Sequence, residues 1–373
     1  MEFWLNCCIV FALSVFLAGI LIPQILLVAF RKKLFDIPDE RKIHQGIVPR
    51  LGGIAFTPVI IFTLSFVLGL NCLAGDSLLL SLMGRHAVPI SMGLCALLML
   101  YLVGMADDLI GVRYRAKFVI QLCCALLLVA GGLWVDDFCG FLGLGVVSPW
   151  FGVPVTLLCV VFVVNAINLI DGVDGLASGL SMAAFIIYGA SFIVLRYYFY
   201  ALLCFAALGV LLPFFYYNVF GNADKGRKIF MGDTGSLTIG LLLVFTSLKL
   251  QQAADIVGSP FPNAMVIALS PLIIPCFDVV RVFVHRLRYH SNPFLPDKSH
   301  IHHKLLNLGM SHRLVMVTIV TVSVIFSAGN IYLSHYLNVN LLLFIDIAAW
   351  TLLNVLISHL VHRRRIALGL DPR

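Results

Sequence analysis

Five clusters of acidic, amide and histidine side chains stand out in a chain that is otherwise strongly apolar. Such side chains in or beside membrane-length apolar segments are costly, and proteins retain them mainly for catalysis or transport. Each cluster lies next to a segment rich in Lys and Arg, which indicates that all of them share one side of the molecule. The clusters are Asp107–Asp108, Asn165 to Asp174, Asp233, Asp278 and His300 to His303.

The adjacent carboxylates of Asp107 and Asp108 directly follow an apolar run that is long enough to cross a membrane. Two neighbouring carboxylates repel each other, so they favour a nearby cation. Mg²⁺ suits this position because it binds carboxylate oxygens together with the phosphates of a substrate. A solvated helix end or helix cap explains the pair equally well, and both interpretations stay open at this point.

Four polar residues recur at every third position of the most distinctive segment, which places them roughly on one side of a helical stretch. They are Asn165, Asn168, Asp171 and Asp174. Gly172 and Gly175 allow the backbone to open there and to approach a ligand closely. The asparagines alone are consistent with a polar contact between membrane helices. The two additional acids favour a catalytic or ligand-binding site.

The segment Phe230–Ser236 predicts a turn that leads into a helix. Asp233 is a candidate metal ligand within this turn. Thr234 and Ser236 are expected to cap the following helix or to contact a phosphate. A simple capped turn accounts for the same residues, so this segment is a weak signal when it is taken alone.

The polar stretch between Arg286 and Arg313 contains several histidines among basic residues. His300 and His303 are expected to share one helical face, with His302 beside them. A zinc site is disfavoured because no cysteine or acid has suitable spacing. The basic surroundings favour phosphate binding, with histidines and arginines as donors. Attraction of a basic loop to the membrane surface explains the lysines and arginines but not the clustered histidines.

Two further basic residues fit a phosphate ligand. Arg50 precedes Gly52 and Gly53 at the start of the second apolar run, where the flexible backbone can approach a ligand. Lys117 follows the paired aspartates after a short, basic connecting segment. Both residues lie on the side that the other clusters share.

Membrane-spanning helices must position these clusters. Hydrophobic residues make up 61% of the chain and charged residues only 12%, about half the charged fraction of a typical soluble protein. Apolar runs of about 20 residues recur throughout, and each can cross about 30 Å of hydrocarbon. The sequence therefore predicts an all-α, polytopic integral membrane protein, organised as one domain over residues 1–373. About eleven spans are expected, at 3–30, 51–70, 87–106, 118–135, 153–168, 176–195, 198–217, 236–250, 264–284, 313–333 and 340–361.

Lysines and arginines concentrate in alternate connecting segments, which sets the expected orientation. The N-terminus is predicted outside, and the site is predicted at the cytoplasmic face. The net charge of +7 follows from this distribution at helix ends, so it does not indicate a nucleic-acid partner. The runs 153–168 and 236–250 are short for a full crossing, and tilt or packing is expected to compensate. The expected cytoplasmic catalytic segments are about 31–50, 107–117, 169–175, 218–235 and 285–312.

In this order and on one side, the motifs resemble the polyprenyl-phosphate N-acetylhexosamine-1-phosphate transferase superfamily, which is glycosyltransferase family 4. The resemblance covers about residues 38–313 and rests on Asp107–Asp108, Asn165–Ala177, Met231–Leu237 and Ser299–His303. It implies transfer of a sugar 1-phosphate from a UDP-N-acetylhexosamine to a polyprenyl phosphate, with release of UMP. Phosphoryl transfer of this kind depends on positioning and on a metal that neutralises charge.

The resemblance also implies roles for individual residues. The metal, Mg²⁺ with Mn²⁺ as an alternative, would be bound by Asp233 and Asn168. Asp107 would activate the lipid phosphate or receive its proton, and a covalent role for this carboxylate stays open. The expected catalytic residues are Asp107, Asp108, Asp171 and Lys117. The expected substrate-binding residues are Arg50, Asn165, Gly172, Asp174, Phe230, Arg286, His300, His302 and His303.

Within the superfamily, Pro49–Gly53 and Lys298–His303 are similar to the branch that transfers GlcNAc 1-phosphate to undecaprenyl phosphate. Ile301, between two histidines, departs from the three consecutive histidines typical of phospho-MurNAc-pentapeptide translocases, which are the alternative. The resemblance implies UDP-GlcNAc, undecaprenyl phosphate and membrane lipid as partners in the bacterial inner membrane. The reaction would begin an envelope glycan of the O-antigen, common-antigen or teichoic-acid type.

Two questions of class and assembly stay open in the sequence. A homodimer is one expected assembly, and the sequence leaves the oligomeric state open. A transporter or lipid flippase is a more distant alternative to a transferase. Transport is disfavoured because the polar clusters lie at one interface and no inverted repeat is visible.

Overall fold

The protein is described by a computed structural model that covers residues 3–34, 48–75, 84, 86–255, 259–288 and 300–369. Within these ranges the chain is helical and contains no β-strand, and its one extended pairing is a bridge between Asp137 and Val146. The predicted all-α fold is therefore confirmed. The α-helices are α1 (Phe3–Lys32), α2 (Phe56–Leu73), α3 (Ala87–Ile110), α4 (Tyr114–Ala130), α5 (Pro149–Ile170), α6 (Leu176–Val194), α7 (Tyr198–Val219), α8 (Gly232–Ala254), α9 (Ala264–Leu269), α10 (Ile273–Arg288), α11 (Ile301–Asn307), α12 (His312–Leu333) and α13 (Val339–Ala367).

Short 3₁₀ turns complete some of these helices. Gly52–Ala55 precedes α2, and Ser270–Leu272 joins α9 to α10. Counted with these turns, ten helical segments in the described ranges are long and apolar enough to cross a membrane. Helix α4, with 17 residues, occupies the place of the fourth predicted span. The chain is a multi-pass membrane protein, as its apolar runs predicted.

The prediction that two spans are short is wrong. Helix α5 has 22 residues and α8 has 23, against the predicted ranges 153–168 and 236–250. Helix α5 begins at Pro149 and ends at Ile170, and α8 includes Asp233 and Gln251, polar residues that lie beyond the predicted range. A helix satisfies its own backbone hydrogen bonds, so a polar side chain near its end does not require the helix to stop.

Helix α8 lies at the centre of the bundle. Every residue from Thr234 to Leu248 is buried, and α8 contacts α3, α5, α6 and α9. A helix that is apolar on all sides is typical of a protein core, where its side chains contact protein rather than lipid. The surrounding helices therefore fix the position of Asp233, which lies in the first turn of α8.

Glycines allow two neighbouring helices to approach α8 closely. A Cβ atom at Gly104 of α3 would lie 2.5 Å from the Cα of Thr234. A Cβ atom at Gly240 of α8 would lie 2.9 Å from the Cα of Val164 in α5. Small residues at such contacts are typical of membrane helix pairs, because they let the backbones approach. Both contacts lie towards the end of α8 that carries Asp233.

Replacing Gly104 by Ala is expected to lower the free energy of unfolding by about 1–3 kcal/mol, because the new methyl group meets the backbone of α8 rather than a movable side chain. The measurement is thermal unfolding of the purified protein in detergent. Gly69→Ala in α2 is the matched control, because a Cβ there meets nothing within 4 Å. Equal unfolding temperatures for both variants would show that the contact between α3 and α8 is not tight.

Candidate functional site at the convergence of four helix ends

The predicted polar clusters meet at one end of the helix bundle. The C-terminal turns of α3 and α5 carry Asp107 and Asn168. The N-terminal turns of α4 and α8 carry Lys117 and Asp233. Helix ends that face one another in this way bring together side chains that are far apart in the sequence.

Lys117 joins two carboxylates from different helices. Its Nζ lies 3.0 Å from Asp107 Oδ2 and 2.7 Å from Asp233 Oδ2. The other carboxylate oxygen of Asp233, Oδ1, accepts a hydrogen bond of 3.2 Å from Asn168 Nδ2. All three charged side chains are largely buried, with 15–26% of each side chain exposed. The site thus concentrates two negative charges around one ammonium group in a poorly solvated environment.

Asp108 binds the N-terminus of α8. Its Oδ1 accepts a hydrogen bond of 2.7 Å from the backbone N–H of Asp233. Its Oδ2 accepts hydrogen bonds from the backbone N–H and the hydroxyl of Thr234, at 2.9 and 2.5 Å. A carboxylate in this position satisfies free helix N–H groups and interacts favourably with the helix dipole. Asp108 therefore positions Asp233 rather than facing the centre of the site.

The expectation that Thr234 and Ser236 cap α8 with their own side chains is wrong. Met231 is the N-cap residue and provides no side-chain cap. The Thr234 hydroxyl instead donates to Asp108, and the Ser236 hydroxyl donates to the backbone oxygen of Gly232 at 3.0 Å. A cap supplied by another helix leaves no local signal in the sequence.

The segment before α8 pairs with the segment before α2. Backbone N–H groups of Gly52 and Gly53 donate to the oxygens of Phe230 and Met231, at 3.0 and 2.9 Å. The N–H of Phe230 donates in turn to Pro49 O at 2.9 Å. A Cβ atom at Gly53 would overlap the backbone of Gly235, so this pairing requires a glycine. Gly52 and Gly53 therefore allow the backbones of these two segments to pack closely together.

The run from Asn165 to Asp174 divides between two functions. Asn168 contacts Asp233 and also donates to Ser236 Oγ at 2.8 Å. Asn165 instead pairs with Gln121 of α4, donating to its Oε1 at 2.6 Å. This pair joins α4 to α5, which is the polar helix contact that asparagines alone indicate. Among the described residues, Asn165 contacts none of the other residues expected to bind substrate.

Asp171 ends α5 beside the charged centre. Burial raises the pKa of its carboxyl group well above the usual range, and the nearby carboxylates of Asp233 and Asp174 act in the same direction. The guanidinium of Arg50 acts in the opposite direction. Asp171 makes no hydrogen bond or ion pair with the residues that the structure describes, which distinguishes it from Asp108.

Asp174 forms an ion pair that the sequence did not predict. Its Oδ2 lies 2.6 Å from the Nζ of Lys228, and both side chains are largely buried. The same Nζ lies 5.7 Å from the centre of the Phe230 ring. Gly175, in the left-handed conformation with φ of 76°, begins the next helix and donates its N–H to Asn218 Oδ1. An aromatic face, a carboxylate and an ammonium are therefore grouped beside the central carboxylates.

Asp278 orients the histidine segment. Its side chain is fully buried, and its Oδ2 lies 2.8 Å from His300 Nδ1. Its Oδ1 accepts hydrogen bonds from the backbone N–H of Ile301 at 3.1 Å and from Arg281 at 2.8 Å. The sequence singled out Asp278 but assigned it no role. A buried carboxylate with three such donors fixes the start of α11 relative to α10.

The histidines are arranged differently from the prediction. His300 is the N-cap residue of α11 and lies outside the helix, so it does not share a helical face with His303. The rings of His300 and His302 stack instead, with centres 5.7 Å apart, and those of His302 and His303 lie 4.3 Å apart. A non-helical backbone at His300 is what allows the rings to align.

His302 lies against the turn after α5. A Cβ atom at Gly172 would lie 2.5 Å from His302 Nε2, so only glycine allows this approach. Burial, and then the neighbouring His303, lower the pKa of His302 to about 3. The ring is therefore neutral near pH 7. Its Nδ1 is buried and has no hydrogen-bond partner within the described residues.

The two predicted arginines occupy different positions. Arg50 is exposed beside the site, and its charge acts on Asp171. Arg286 is half-buried in the last turn of α10. Arg281, which the sequence did not single out, is the arginine that contacts Asp278. Lys298 and Ser299 of the histidine motif lie outside the described residues, as does most of the segment 31–50.

The donor set fits a hard metal ion that is completed by a substrate. Among the described residues, no three His, Cys, Asp or Glu side chains form a group suited to a metal ion. Asp107, Asp233 and the Asn168 amide nevertheless provide oxygen atoms on adjoining helix ends. Mg²⁺ is commonly bound through one or two carboxylates plus substrate phosphates rather than by a closed protein cage.

The chain is similar to known proteins over most of its length. The model of the family "Glycosyl transferase family 4" matches residues 90–251, which include Asp107, Asp108, Asn168 and Asp233. A Bacillus subtilis (strain 168) protein named "Probable undecaprenyl-phosphate N-acetylglucosaminyl 1-phosphate transferase" is 31% identical over 355 residues, covering 91% of this chain and 90% of the relative.

Two enterobacterial relatives share the name undecaprenyl-phosphate alpha-N-acetylglucosaminyl 1-phosphate transferase. The protein of Escherichia coli (strain K12) is 32% identical over 296 residues, and that of Salmonella typhi is 30% identical over 298 residues. Both alignments cover 78% of this chain and 74% of the relative. Because identity of this level extends over most of both chains, the chain belongs to glycosyl transferase family 4.

Proposed function

We propose that the protein transfers GlcNAc 1-phosphate from UDP-GlcNAc to undecaprenyl phosphate at the cytoplasmic face of the bacterial inner membrane. The products are undecaprenyl-diphosphate-GlcNAc and UMP. The observation that carries the proposal is the junction of Asp107, Lys117 and Asp233 at the ends of membrane-spanning helices. The substrates are those in the names of the relatives, whose alignments cover 91% and 78% of this chain.

The proposed reaction exchanges one phosphoanhydride linkage for another. An oxygen of the lipid phosphate attacks the β-phosphorus of UDP-GlcNAc. The bond between this phosphorus and the bridging oxygen breaks, and UMP leaves with the electron pair. The reacting groups are all anionic, so the protein must bring them together against their mutual repulsion. Positioning and charge neutralisation are therefore the main tasks of the site.

Asp233 and Asn168 would hold Mg²⁺, or Mn²⁺, with Asp107 on the adjoining helix end. When bound, the ion would neutralise charge on the substrate phosphates. Lys117 supports this role, because its ammonium keeps Asp107 and Asp233 close together in spite of their like charge. Asn168 fixes the Asp233 carboxylate from the side opposite Lys117.

Asp107 is the group best placed to receive a proton from the lipid phosphate. Its Oδ1 is held by the backbone N–H of Val112 at 2.6 Å, and its Oδ2 faces Lys117. A carboxylate fixed by two donors keeps a constant position as a proton moves. The attack itself needs little further activation, because the lipid phosphate is already an anion. We therefore assign Asp107 a proton-accepting role and not a covalent one.

The nucleoside end of the donor would bind beside Asp174. The Phe230 ring offers a face for the uracil, and Lys228 lies between that ring and the Asp174 carboxylate. A carboxylate can accept hydrogen bonds from the base, while the ammonium can contact a phosphate. Gly172, in the same turn, carries no side chain, which lets His302 approach this part of the site.

The diphosphate would bind beside this turn and the start of α11. His302 approaches the Gly172 turn directly, and His300 and His303 flank it. Asp278 fixes the segment through His300 and the backbone of Ile301. The histidines therefore lie on a rigid helix start rather than on a free loop, which suits the binding of a ligand in one fixed orientation.

The direct test is release of UMP by the purified protein with undecaprenyl phosphate and Mg²⁺. We expect release with UDP-GlcNAc and little with UDP-GalNAc or UDP-MurNAc-pentapeptide. Release with the muramyl-pentapeptide donor alone would assign the protein to peptidoglycan synthesis while keeping the reaction type. Failure with all three donors, in protein that binds no UDP-sugar, would refute the transferase proposal.

Two neighbouring carboxylates should differ in their effects when each is changed to the amide. Asp233→Asn is expected to lower turnover by about 100-fold or more and to raise the Mg²⁺ concentration needed, because it removes a metal ligand. Asp108→Asn is expected to lower the free energy of unfolding by about 1–2 kcal/mol, because an amide nitrogen replaces one of the two oxygens that accept hydrogen bonds from the start of α8. UMP release over a Mg²⁺ series and thermal unfolding measure the two effects.

Asp224→Asn, on an exposed loop, is the control for both carboxylate variants and should match the unmodified protein. An unchanged Mg²⁺ dependence in Asp233→Asn would contradict the metal assignment. An unchanged unfolding temperature in Asp108→Asn would contradict the capping role.

Asp278→Asn is expected to raise KM for UDP-GlcNAc about tenfold with a smaller change in kcat, because α11 loses its fixed orientation. Steady-state kinetics of UMP release give both constants. Asp346→Asn is the matched control, since Asp346 is also a buried carboxylate but is bound by Asn330 within the helix pair α12 and α13. Equal effects of both variants on KM would show that Asp278 acts only through general stability.

A further inference from the structure

Lys249 lies within an aromatic cluster at the end of the bundle opposite the catalytic site. It belongs to α8, about 24 Å along the helix axis from Asp233 at 1.5 Å per residue. Its Nζ lies 5.4 Å from the centre of the Tyr197 ring and 5.7 Å from that of Tyr200. The distance from Asp233 places this ammonium near the second membrane surface.

Two further basic residues adjoin the same rings. His86, the N-cap residue of α3, has its ring centre 5.4 Å from that of Tyr197 and 5.7 Å from that of Tyr200. Arg196 precedes Tyr197 in the turn between α6 and α7 and is exposed. We call His86, Arg196, Tyr197, Tyr200 and Lys249 the distal basic cluster. It combines aromatic rings and basic groups at an interface where tyrosines are typical.

The ammonium of Lys249 carries a positive charge that no ion pair with a described residue neutralises. Aromatic faces stabilise an ammonium group but leave its charge in place. The Tyr200 hydroxyl is fully buried and has no hydrogen-bond partner within the same ranges. Buried hydroxyls are nearly always hydrogen-bonded, so this one indicates a missing acceptor.

The surroundings favour an anion that also has an apolar part. Val88 lies two residues after His86 and is 57% exposed, and Val194 lies two residues before Arg196 and is 58% exposed. These side chains lie at the first turn of α3 and the last turn of α6, within the membrane-spanning segments. An anion with acyl chains could contact the valines while its charged group reaches the lysine.

We propose that the distal basic cluster binds the phosphate group of an anionic glycerophospholipid from the leaflet opposite the catalytic site. Lys249 extends its apolar stem along the rings and presents its ammonium to the headgroup. The Tyr200 hydroxyl donates a hydrogen bond to a phosphate oxygen. Anionic headgroups attract basic side chains at the membrane surface, and here the aromatic rings fix the position of the lysine.

The test is native mass spectrometry of the purified protein titrated with phosphatidylglycerol. Lys249→Met removes the charge but keeps an apolar side chain on the rings, and it is expected to weaken lipid binding about fivefold. Tyr200→Phe keeps the ring, removes the hydroxyl and is expected to weaken binding as well. Arg363→Met is the matched control, because Arg363 is exposed near the end of α13 and lies outside the segments expected to form the catalytic site. It should bind lipid like the unmodified protein.

Release of UMP by each variant shows that it is folded, since none of these residues belongs to the catalytic site. Equal lipid binding by the unmodified protein, Lys249→Met and Tyr200→Phe would overturn the proposal. A second titration with inorganic phosphate separates the two sources of the ligand chemistry. Binding of phosphate that depends on Lys249, without binding of the lipid, would also overturn the assignment to a phospholipid.

Discussion

The shared ammonium of Lys117 is the interaction on which the catalytic end of the molecule depends. Asp107 and Asp233 come from different helices and would repel each other in a poorly solvated environment. Leaving such a carboxylate buried without a partner costs several kcal/mol, so both must contact the same Nζ. This requirement sets the relative heights of α3, α4 and α8. Asn168 then adds α5 to the same arrangement through Asp233.

Helix α8 holds these charged groups in a rigid site. It is buried along most of its length, and its first turn is held by Asp108 from α3. Gly104 and Gly240 remove the side chains that would otherwise separate α8 from α3 and α5. Close packing at Gly104 and the cap that Asp108 supplies from α3 therefore both act on the first turn of α8. The position of Asp233 depends on contacts made by residues that never touch a substrate, which explains why a membrane bundle can hold polar chemistry at its surface.

The sequence predicted the parts of the fold and site that local pattern determines. Apolar run length located the helices, and the three-residue spacing of Asn168 and Asp171 marked the end of α5, which the structure places beside Asp233. Contacts between distant residues left no such pattern. Asp108 caps α8 through the N–H of Asp233, 125 positions later, and Asp278 orients a histidine 22 positions away. Prediction from helical spacing was also wrong at His300, because a residue just outside a helix follows different geometry from the residues within it.

The basic groups around the proposed UDP-GlcNAc site differ in charge, which bears on how tightly the UMP product would be held. Lys117 and Lys228 each face a carboxylate, so part of their charge is already neutralised. His302 is neutral near pH 7, because burial lowers its pKa to about 3. A neutral imidazole can donate a hydrogen bond to a diphosphate without adding a full positive charge. A site built only from free cations would bind the anionic UMP product tightly as well as the substrate, and uniform binding of that kind does not accelerate the reaction. The buried histidine thus favours orientation of the donor over strong retention of the product.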